Sequence, residues 1–289
     1  METDFNPKNL TYGFIGLGLI GGSMAKALRL AFPDCTIIAY NRSDKPRTMA
    51  FSDGTANVVT DIIDDSFALC DFIFLCTPVE FNETYLDKLS SVIRPGCIIT
   101  DVGSVKGNIH KAASERHMDS IFIGGHPMAG SEKTGYEHSS ASLCHGAIYP
   151  VTPALNSRSE DINHYVKIVE AMGFKPVIMT PEAHDKAAAA ISHLPHIISA
   201  ELTLLVRDNE TAEKYMQLLA ASGFRDTTRI AASSPDVWQQ ICMANAENIS
   251  ALLGQYISGL EAVKNAVDKR DSEAIEKLFR ESKEYRDLF

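Results

Sequence analysis

Gly16-Leu17-Gly18-Leu19-Ile20-Gly21 follows directly on the apolar run 12–15 and opens the helix-forming run 23–31. This is G-x-G-x-x-G in its strand–turn–helix setting. The first glycine turns tightly, the second lets backbone approach a pyrophosphate, and the third lets helix pack on strand. The free N–H groups and positive end of the helix then face the phosphates. A second strand, 36–40, arrives at the right distance for a dinucleotide-binding unit. The bland alternative is a glycine-rich turn with no ligand.

Working outward, strands and helices alternate: strand 72–75, helix around 83–92, strand 97–100, helix around 106–117, strand 121–123. Strands 149–151 and 176–179 flank a helical pattern over 159–172. Such alternation predicts an α/β, doubly wound, mostly parallel sheet, whose ligands bind beyond the carboxyl ends of the strands. Three loops leave those ends: Cys76-Thr77-Pro78, the segment Asp101-Val102-Gly103-Ser104-Val105-Lys106, and Gly124-Gly125-His126-Pro127-Met128-Ala129-Gly130-Ser131. The glycines and proline of the third make it a fixed turn presenting one imidazole. His126 is there either as a base or as a partner for neighbouring backbone. A nicotinamide reaching along the sheet from Gly16–Gly21 would end among these loops, which favours the base.

Thr180-Pro181-Glu182 is a helix start, and from 181 to 289 the pattern is helical: 183–206, 212–222, 235–267 with a break, and 272–287. This predicts two domains, 1–180 binding a dinucleotide and 181–289 all-helical. The apolar face of Ile249, Leu252, Leu253, Tyr256, Ile257 and Leu260 exceeds what one thin helical layer buries against itself. It is covered either by a second copy of the chain or by the first domain. Pro195 kinks its helix and fixes Ser192, His193 and His196 on a cleft wall. Three-residue spacing raises a metal pair at His193 and His196, but no Cys, Asp or Glu stands near at ligand spacing, and no metal is expected. Arg225 and Arg229 are two cations in an acidic chain. A guanidinium in a cleft offers a planar fork for a carboxylate, and Arg229 is the better candidate.

Composition sets the bounds. Over 289 residues, 45% are hydrophobic and 22% charged, the balance of a folded globular protein. A net charge of −10 argues against a general nucleic-acid surface. Residues 1–9 lack a signal-peptide pattern, no apolar run approaches the roughly 20 residues of a membrane span, and a cytoplasmic location without membrane partners is expected. Six cysteines without a CxxC pair read as buried free thiols.

Taken together, GFIGLGLIGGS, DVGSVKG, GGHPMAGSEKTG, SHLPH and GFRDTTRIAASSPDVW closely resemble the prephenate dehydrogenase family, which includes arogenate dehydrogenases. The resemblance runs from about residue 12 to about 260. It implies a Rossmann-type nucleotide-binding domain, a helical dimerisation domain forming a homodimer, and an active site between domains. There prephenate would be oxidatively decarboxylated to 4-hydroxyphenylpyruvate on the way to tyrosine. It implies that His126 is catalytic at the ring hydroxyl, assisted by Ser104, and that Arg229 binds a carboxylate while Ser131, Ser192 and His196 line the pocket. Ser131 stands where relatives often have threonine. After the last helix the sequence leaves no length for the regulatory ACT domain that some members append, so feedback through one is not implied.

Two other functions were weighed. A hydroxy-acid dehydrogenase of the 6-phosphogluconate type would rely on a second-domain lysine, and none accompanies the SHLPH segment. A non-catalytic dinucleotide sensor would not reduce its cofactor. Prephenate and arogenate are not distinguished by any residue. For the cofactor, Gly16, Gly18, Leu19, Ile20 and Gly21 would hold the pyrophosphate, with Thr77 and Pro78 farther along. At the adenosine end, neutral Asn41 stands where an acidic residue normally binds the ribose diol. Arg42 and Ser43 could receive the 2′-phosphate of NADP, Arg42 could equally cover the adenine, and Asp44 would repel a phosphate. The loop alone leaves NAD and NADP even, and the resemblance tips the expectation to NAD.

Overall fold

A computed structural model describes residues 6–131 and 133–289. Residues 1–5 of the polar start and Glu132 of the histidine loop lie outside the described residues. Five parallel strands, β1 (Thr11–Ile15), β2 (Thr36–Tyr40), β3 (Val58–Thr60), β4 (Phe72–Leu75) and β5 (Ile98–Asp101), form one sheet in the order β3-β2-β1-β4-β5. A second sheet, β6 (Ile123–Gly125), β7 (Ile148–Pro153) and β8 (Lys175–Ile178), pairs β6 antiparallel and β8 parallel to β7. A parallel bridge between Ile99 and Phe122 joins the two. The crossing from β1 to β4 beside β2 makes a switch point at the carboxyl end of β1, where the glycine turn lies.

The period of two along each strand allots side chains to two cores. Phe14, Ile37, Ala39, Phe72 and Phe74 point to one face, where Tyr165 of α5 (Ser159–Ala171) and Met24 of α1 (Leu19–Ala31) complete the packing. Ile15, Ile38, Ile73 and Leu75 point to the other, against Leu86 and Leu89 of α3 (Val79–Ser90) and Ile109 of α4 (Gly107–Glu115). Both faces of the sheet are therefore dry, which is why these strands are near-continuous apolar runs. Helix α2 (Asp44–Ser52) and β3 were not apparent in sequence. Helix α2 buries only Ala50, and β3 is a short edge strand, so neither has a strong apolar period.

The remaining helices are α6 (Pro181–Ala188), α7 (Leu194–Asp208), α8 (Tyr215–Leu219), α9 (Ser222–Thr228), α10 (Pro235–Ala244), α11 (Ala246–Asp268) and α12 (Ser272–Arg286). The chain divides into two compact units. One holds the described residues up to Ala188 together with Ala232–Asn245, and the other holds Ala189–Ala231 and Ala246–Phe289. Helices α6 and α10 thus group with the sheet, although both follow residue 180.

The kink expected at Pro195 is a π-turn, Ala189–His193, between α6 and α7. The missing N–H of proline removes one rung, and the wider turn absorbs the break. Taken as one helical run, Pro181–Asp208 is 28 residues long with a most-apolar window of mean hydropathy 1.4, long and apolar enough to cross a membrane by length and composition. This differs from the expectation that no apolar run approaches a membrane span: Ser192, His193, His196 and Glu201 break the run residue by residue while its mean hydropathy stays high. In the helical unit, Ile249 is buried while Tyr256, Ile257 and Leu260 of the same α11 face are exposed. All six cysteines are free thiols, and Cys35, Cys70, Cys97 and Cys144 are buried.

His110 of α4 meets Phe122 edge-on at 5.1 Å, and its Nε2 lies 3.0 Å from the Thr152 hydroxyl on β7. Burial lowers its pKa to about 4, against about 6.5 for an unfolded histidine. Between those values the unfolded chain binds the extra proton, so stability falls as pH drops from about 6.5 toward about 4. Urea midpoints at both ends of that window should show a smaller loss on acidification for His110→Gln than for the unaltered chain.

Candidate active site

The three glycines of the fingerprint are required for three different reasons. Gly16 has φ of 105°, and a Cβ there would lie 2.8 Å from the Cys76 carbonyl oxygen. Around Gly18 there is nothing within 4 Å of a Cβ, which leaves the backbone open to a phosphate. At Gly21 a Cβ would fall 2.2 Å from the Gly16 carbonyl oxygen, so helix and turn could not close. Beside this turn lie two cavities. One of about 210 Å³ is lined by Gly16, Gly18, Asn41, Arg42, Ser43, Thr77, Pro78 and Tyr85. The other, about 360 Å³, is lined by Gly18, Leu19, Ile20, Thr77, Pro78 and Ser104, with Val237 and Gln240 from α10. Gly18, Cys76, Thr77 and Pro78 line both, so the two adjoin as one trough beside the glycine turn. Trp238 of α10 is half-buried.

At the adenosine end the Asn41 side-chain oxygen accepts the Leu17 N–H at 3.0 Å, pinning the glycine turn, and its amide donates to the Ser43 carbonyl. The Arg42 guanidinium sits 5.3 Å over the Phe81 ring. Nearby Arg47 donates to the carbonyls of Asn41 and Arg42 and pairs with Asp44 and Asp61. Both cations are thus engaged by groups of the protein.

At the other end, β5 and β6 finish side by side. Asp101 Oδ1 accepts the Gly125 N–H at 3.2 Å, and its Oδ2 accepts the Gly103 N–H at 2.9 Å. The Lys106 ammonium pairs with Asp101 Oδ2 and donates to the Gly125 carbonyl at 2.6 Å. Both side chains of this pair are fully buried. Burial pushes the Lys106 ammonium pKa down, against the pull of Asp101. The two loops that carry Ser104 and His126 therefore start from one shared polar knot.

His126 donates its backbone N–H to the Pro150 carbonyl at 3.1 Å, and its Nδ1 lies 2.9 Å from His184 Nε2. The second nitrogen of His184, Nδ1, lies 2.8 Å from Asp185 Oδ1. Asp185 in turn accepts the N–H groups of Lys106 and Gly107, each at 2.7 Å, capping α4. Burial alone would raise the Asp185 pKa, but hydrogen bonds from His184 and the two N–H groups outweigh it and hold the carboxyl below its ordinary value. The Asn245 amide donates to the Asp185 carbonyl at 2.8 Å. His184 and Asp185 stand beside His126 without having been singled out in the sequence, whereas Asp101 and Lys106 bound a loop that was. Adjacent ionisable residues at the start of an alanine-rich helix were the available signal.

The sequence predicts a turn at the glycines before His126, and the structure corrects this. Gly124 and Gly125 lie within strand β6, which starts and ends two residues later than the expected 121–123. They are small because partners crowd them: a Cβ on Gly124 would lie 2.4 Å from the Thr152 hydroxyl, and one on Gly125 would lie 2.4 Å from the Tyr149 hydroxyl. Ser131, farther along, is exposed and accepts the Lys133 N–H at 3.2 Å.

Within the helical unit, His196 Nδ1 lies 2.8 Å from the Ser192 carbonyl of the π-turn. Burial and the charge of Arg229 lower the His196 pKa, against the pull of that carbonyl. Arg229 opens the short turn Arg229–Ala232 and is exposed. Ser192, His196 and Arg229 are thus brought to one end of α7, which the Ser199 hydroxyl ties to α9 by donating to the Thr227 carbonyl. His193 is buried. Among the described residues no group of three His, Cys, Asp or Glu is placed to hold a metal ion.

Comparison with known proteins now separates the possibilities. Residues 24–179 match the nucleotide-binding domain of prephenate dehydrogenase, and residues 180–281 match its dimerization domain. The chain belongs to the prephenate dehydrogenase family. It is 33% identical over 277 residues to a prephenate dehydrogenase of Bacillus subtilis, covering 94% of this chain and 74% of that one. The crystal structure of an A. aeolicus prephenate dehydrogenase, solved with hydroxyphenyl propionate and NAD+, superposes with a TM-score of 0.91 at 29% identity, covering 98% and 99% of the two chains. A Synechocystis arogenate dehydrogenase structure gives a TM-score of 0.86 at 31% identity, covering 96% and 99%. Members of this family are dehydrogenases, and the fold is the nucleotide-binding α/β domain with a helical domain that the resemblance implied.

Gly125→Ala should force the Tyr149 and Tyr165 hydroxyls aside and displace the strand end that carries His126. A loss of about 1–3 kcal/mol in urea unfolding is expected. An unchanged midpoint would mean that the strand end yields freely.

Proposed function

We propose that this protein oxidises prephenate with NAD, releasing carbon dioxide and 4-hydroxyphenylpyruvate, in the formation of tyrosine. The observation that carries the reading is His126, held at the end of β6 by its backbone and its Nδ1, in the unit that contains the dinucleotide trough. NAD supplies the hydride acceptor when bound. The protein must take the proton of the ring hydroxyl as hydride leaves the same carbon, and a neutral imidazole is suited to this. Ser104, on the next strand-end loop, would steady the hydroxyl. Loss of carbon dioxide then makes the ring aromatic, so the step does not reverse.

Prephenate is a dicarboxylate, and the protein carries a net charge of −10. Local cations must therefore hold it, and Arg229 offers a planar fork for one carboxylate. Ser192 and His196 beside Arg229 line the same place, and Ser131 adds a hydroxyl. The engagement of Arg42 by Phe81 and of Arg47 by Asp44 and Asp61 supports NAD over NADP. Arogenate is the second reading, favoured by the likeness to the Synechocystis enzyme. The exposed face of Tyr256, Ile257 and Leu260, in the part that matches a dimerization domain, supports a homodimer through the helical half. Six free thiols fit a reducing, cytoplasmic setting.

Initial rates with prephenate and arogenate, each with NAD and NADP, test the assignment. Prephenate with NAD should give the highest kcat/KM, and His126→Asn should lower kcat by about two to four orders of magnitude while leaving the Kd for NAD nearly unchanged. No reduction of either cofactor with either acid would refute it.

A further inference from the structure

On the Nδ1 side of His126 stand a second imidazole, His184, and the Asp185 carboxylate, both buried. We propose that Asp185 and His184 are positioning residues, fixing which nitrogen of His126 carries its proton and taking up the charge once that base is loaded. The inference rests on the reading of His126 as the base.

The argument is one of donors and acceptors. Asp185 takes two backbone N–H groups, at Oδ1 and Oδ2, and its carboxyl is held ionised at neutral pH, so it only accepts. The 2.8 Å contact from Asp185 Oδ1 to His184 Nδ1 therefore puts the His184 proton on Nδ1. A neutral imidazole has one donor and one acceptor, so His184 Nε2 is an acceptor. Across 2.9 Å it faces His126 Nδ1, which must then carry the proton of the first ring. The lone pair of His126 lies on Nε2, the nitrogen remote from the relay. Unrestrained neutral imidazole favours the opposite tautomer, so the relay imposes a form that His126 would not otherwise hold.

The proton balance closes without another reactant. His126 Nε2 gains the hydroxyl proton while NAD takes the hydride, and the Nδ1 proton of His126 passes to His184 Nε2. Positive charge then rests on His184, whose Nδ1–H remains on the Asp185 carboxylate. The pair's side chains are 2% and 8% exposed, so water screens it weakly. Among the described residues, Asp185 acts on Lys106 and His110, and His110 is also reached by Glu182 and Asp101, so the groups around the relay include Glu182 on α6, Asp101, Lys106 and His110. The last three belong to the segment whose helix Asp185 caps, so the relay is locked to the loop bearing Ser104.

The test uses the full chain, with ring-nitrogen NMR to read tautomers at a pH where the histidines are neutral, and His126→Asn to assign the signals. The unaltered protein should show both His126 and His184 protonated on Nδ1. Asp185→Asn should move His126 toward the Nε2–H form and lower kcat roughly 10²–10⁴-fold, the scale seen when a base is left in the wrong tautomer. Its acid limb of kcat should move to lower pH, because the anion that favours the charged relay is gone. His184→Gln keeps an oxygen that can accept from His126 Nδ1 but cannot take its proton. It should retain the His126 tautomer yet shift the acid limb in the same direction, and it decides the matter alone if Asp185→Asn does not fold. An Nε2–H His126 in the unaltered protein, or an acid limb unmoved in either folded variant, would overturn the relay. Turnover of prephenate with the wrong tautomer would sink this inference alone. The expected tautomers without prephenate turnover would sink the functional reading and leave the relay standing.

Discussion

The buried Lys106–Asp101 pair is the constraint on which the site's geometry depends. Burying two charges is expensive, and their attraction repays it only when further hydrogen bonds complete the set. Here they do, because Asp101 also takes the N–H groups of Gly103 and Gly125 while Lys106 also reaches the Gly125 carbonyl. Such a knot adds little net stability over an apolar replacement, but it tolerates one arrangement only. The ends of β5 and β6 are held in register where the ladder between the two sheets is a short parallel bridge at Ile99 and Phe122.

From that knot the rest follows. Gly125 is fixed, so the next residue, His126, leaves the sheet at a defined point. Lys106 is fixed, so the first turn of α4 presents its N–H groups to Asp185, and Asp185 is carried by α6. Asp185 then aims His184 at His126. Two neighbouring strand ends and the starts of two helices are thereby closed into one circuit around a single imidazole. Gly124 and Gly125 of β6 are the sterically silent part of the circuit, leaving room for Tyr149, Tyr165, Thr152 and His110.

Where function rests on local rules, it was legible in the sequence. The glycine fingerprint, strands β2 and β4, and the presence of a break within 235–267, found between α10 and α11, all follow from short-range periodicity and turn chemistry. Gly16 and Gly21 play the roles their spacing announced. What was not legible depends on partners far along the chain. Helix α4 shows no side-chain cap of its own, because the cap is Asp185, 79 positions later. Gly124 and Gly125 looked like turn residues, since sequence does not display the hydroxyls that crowd them. The assignment of α10 to the sheet unit was hidden for the same reason, because it follows the segment Ala189–Ala231, which belongs to the other unit. At the adenosine end, Asn41 drew notice as a missing acid, whereas its visible task is to hold Leu17.

The central claim is that the polar knot orders the chemistry rather than the cofactor site. Removing one charge would leave the other buried and unpaired, so the informative variant removes both, Asp101→Asn with Lys106→Met. The decisive measurement is kcat alongside the Kd for NAD in that folded double variant. The account predicts NAD binding within about threefold of the unaltered protein and kcat lower by about 10²-fold, the scale of a misplacement of about 1 Å. Unchanged turnover, or loss of NAD binding in step with turnover, would contradict it.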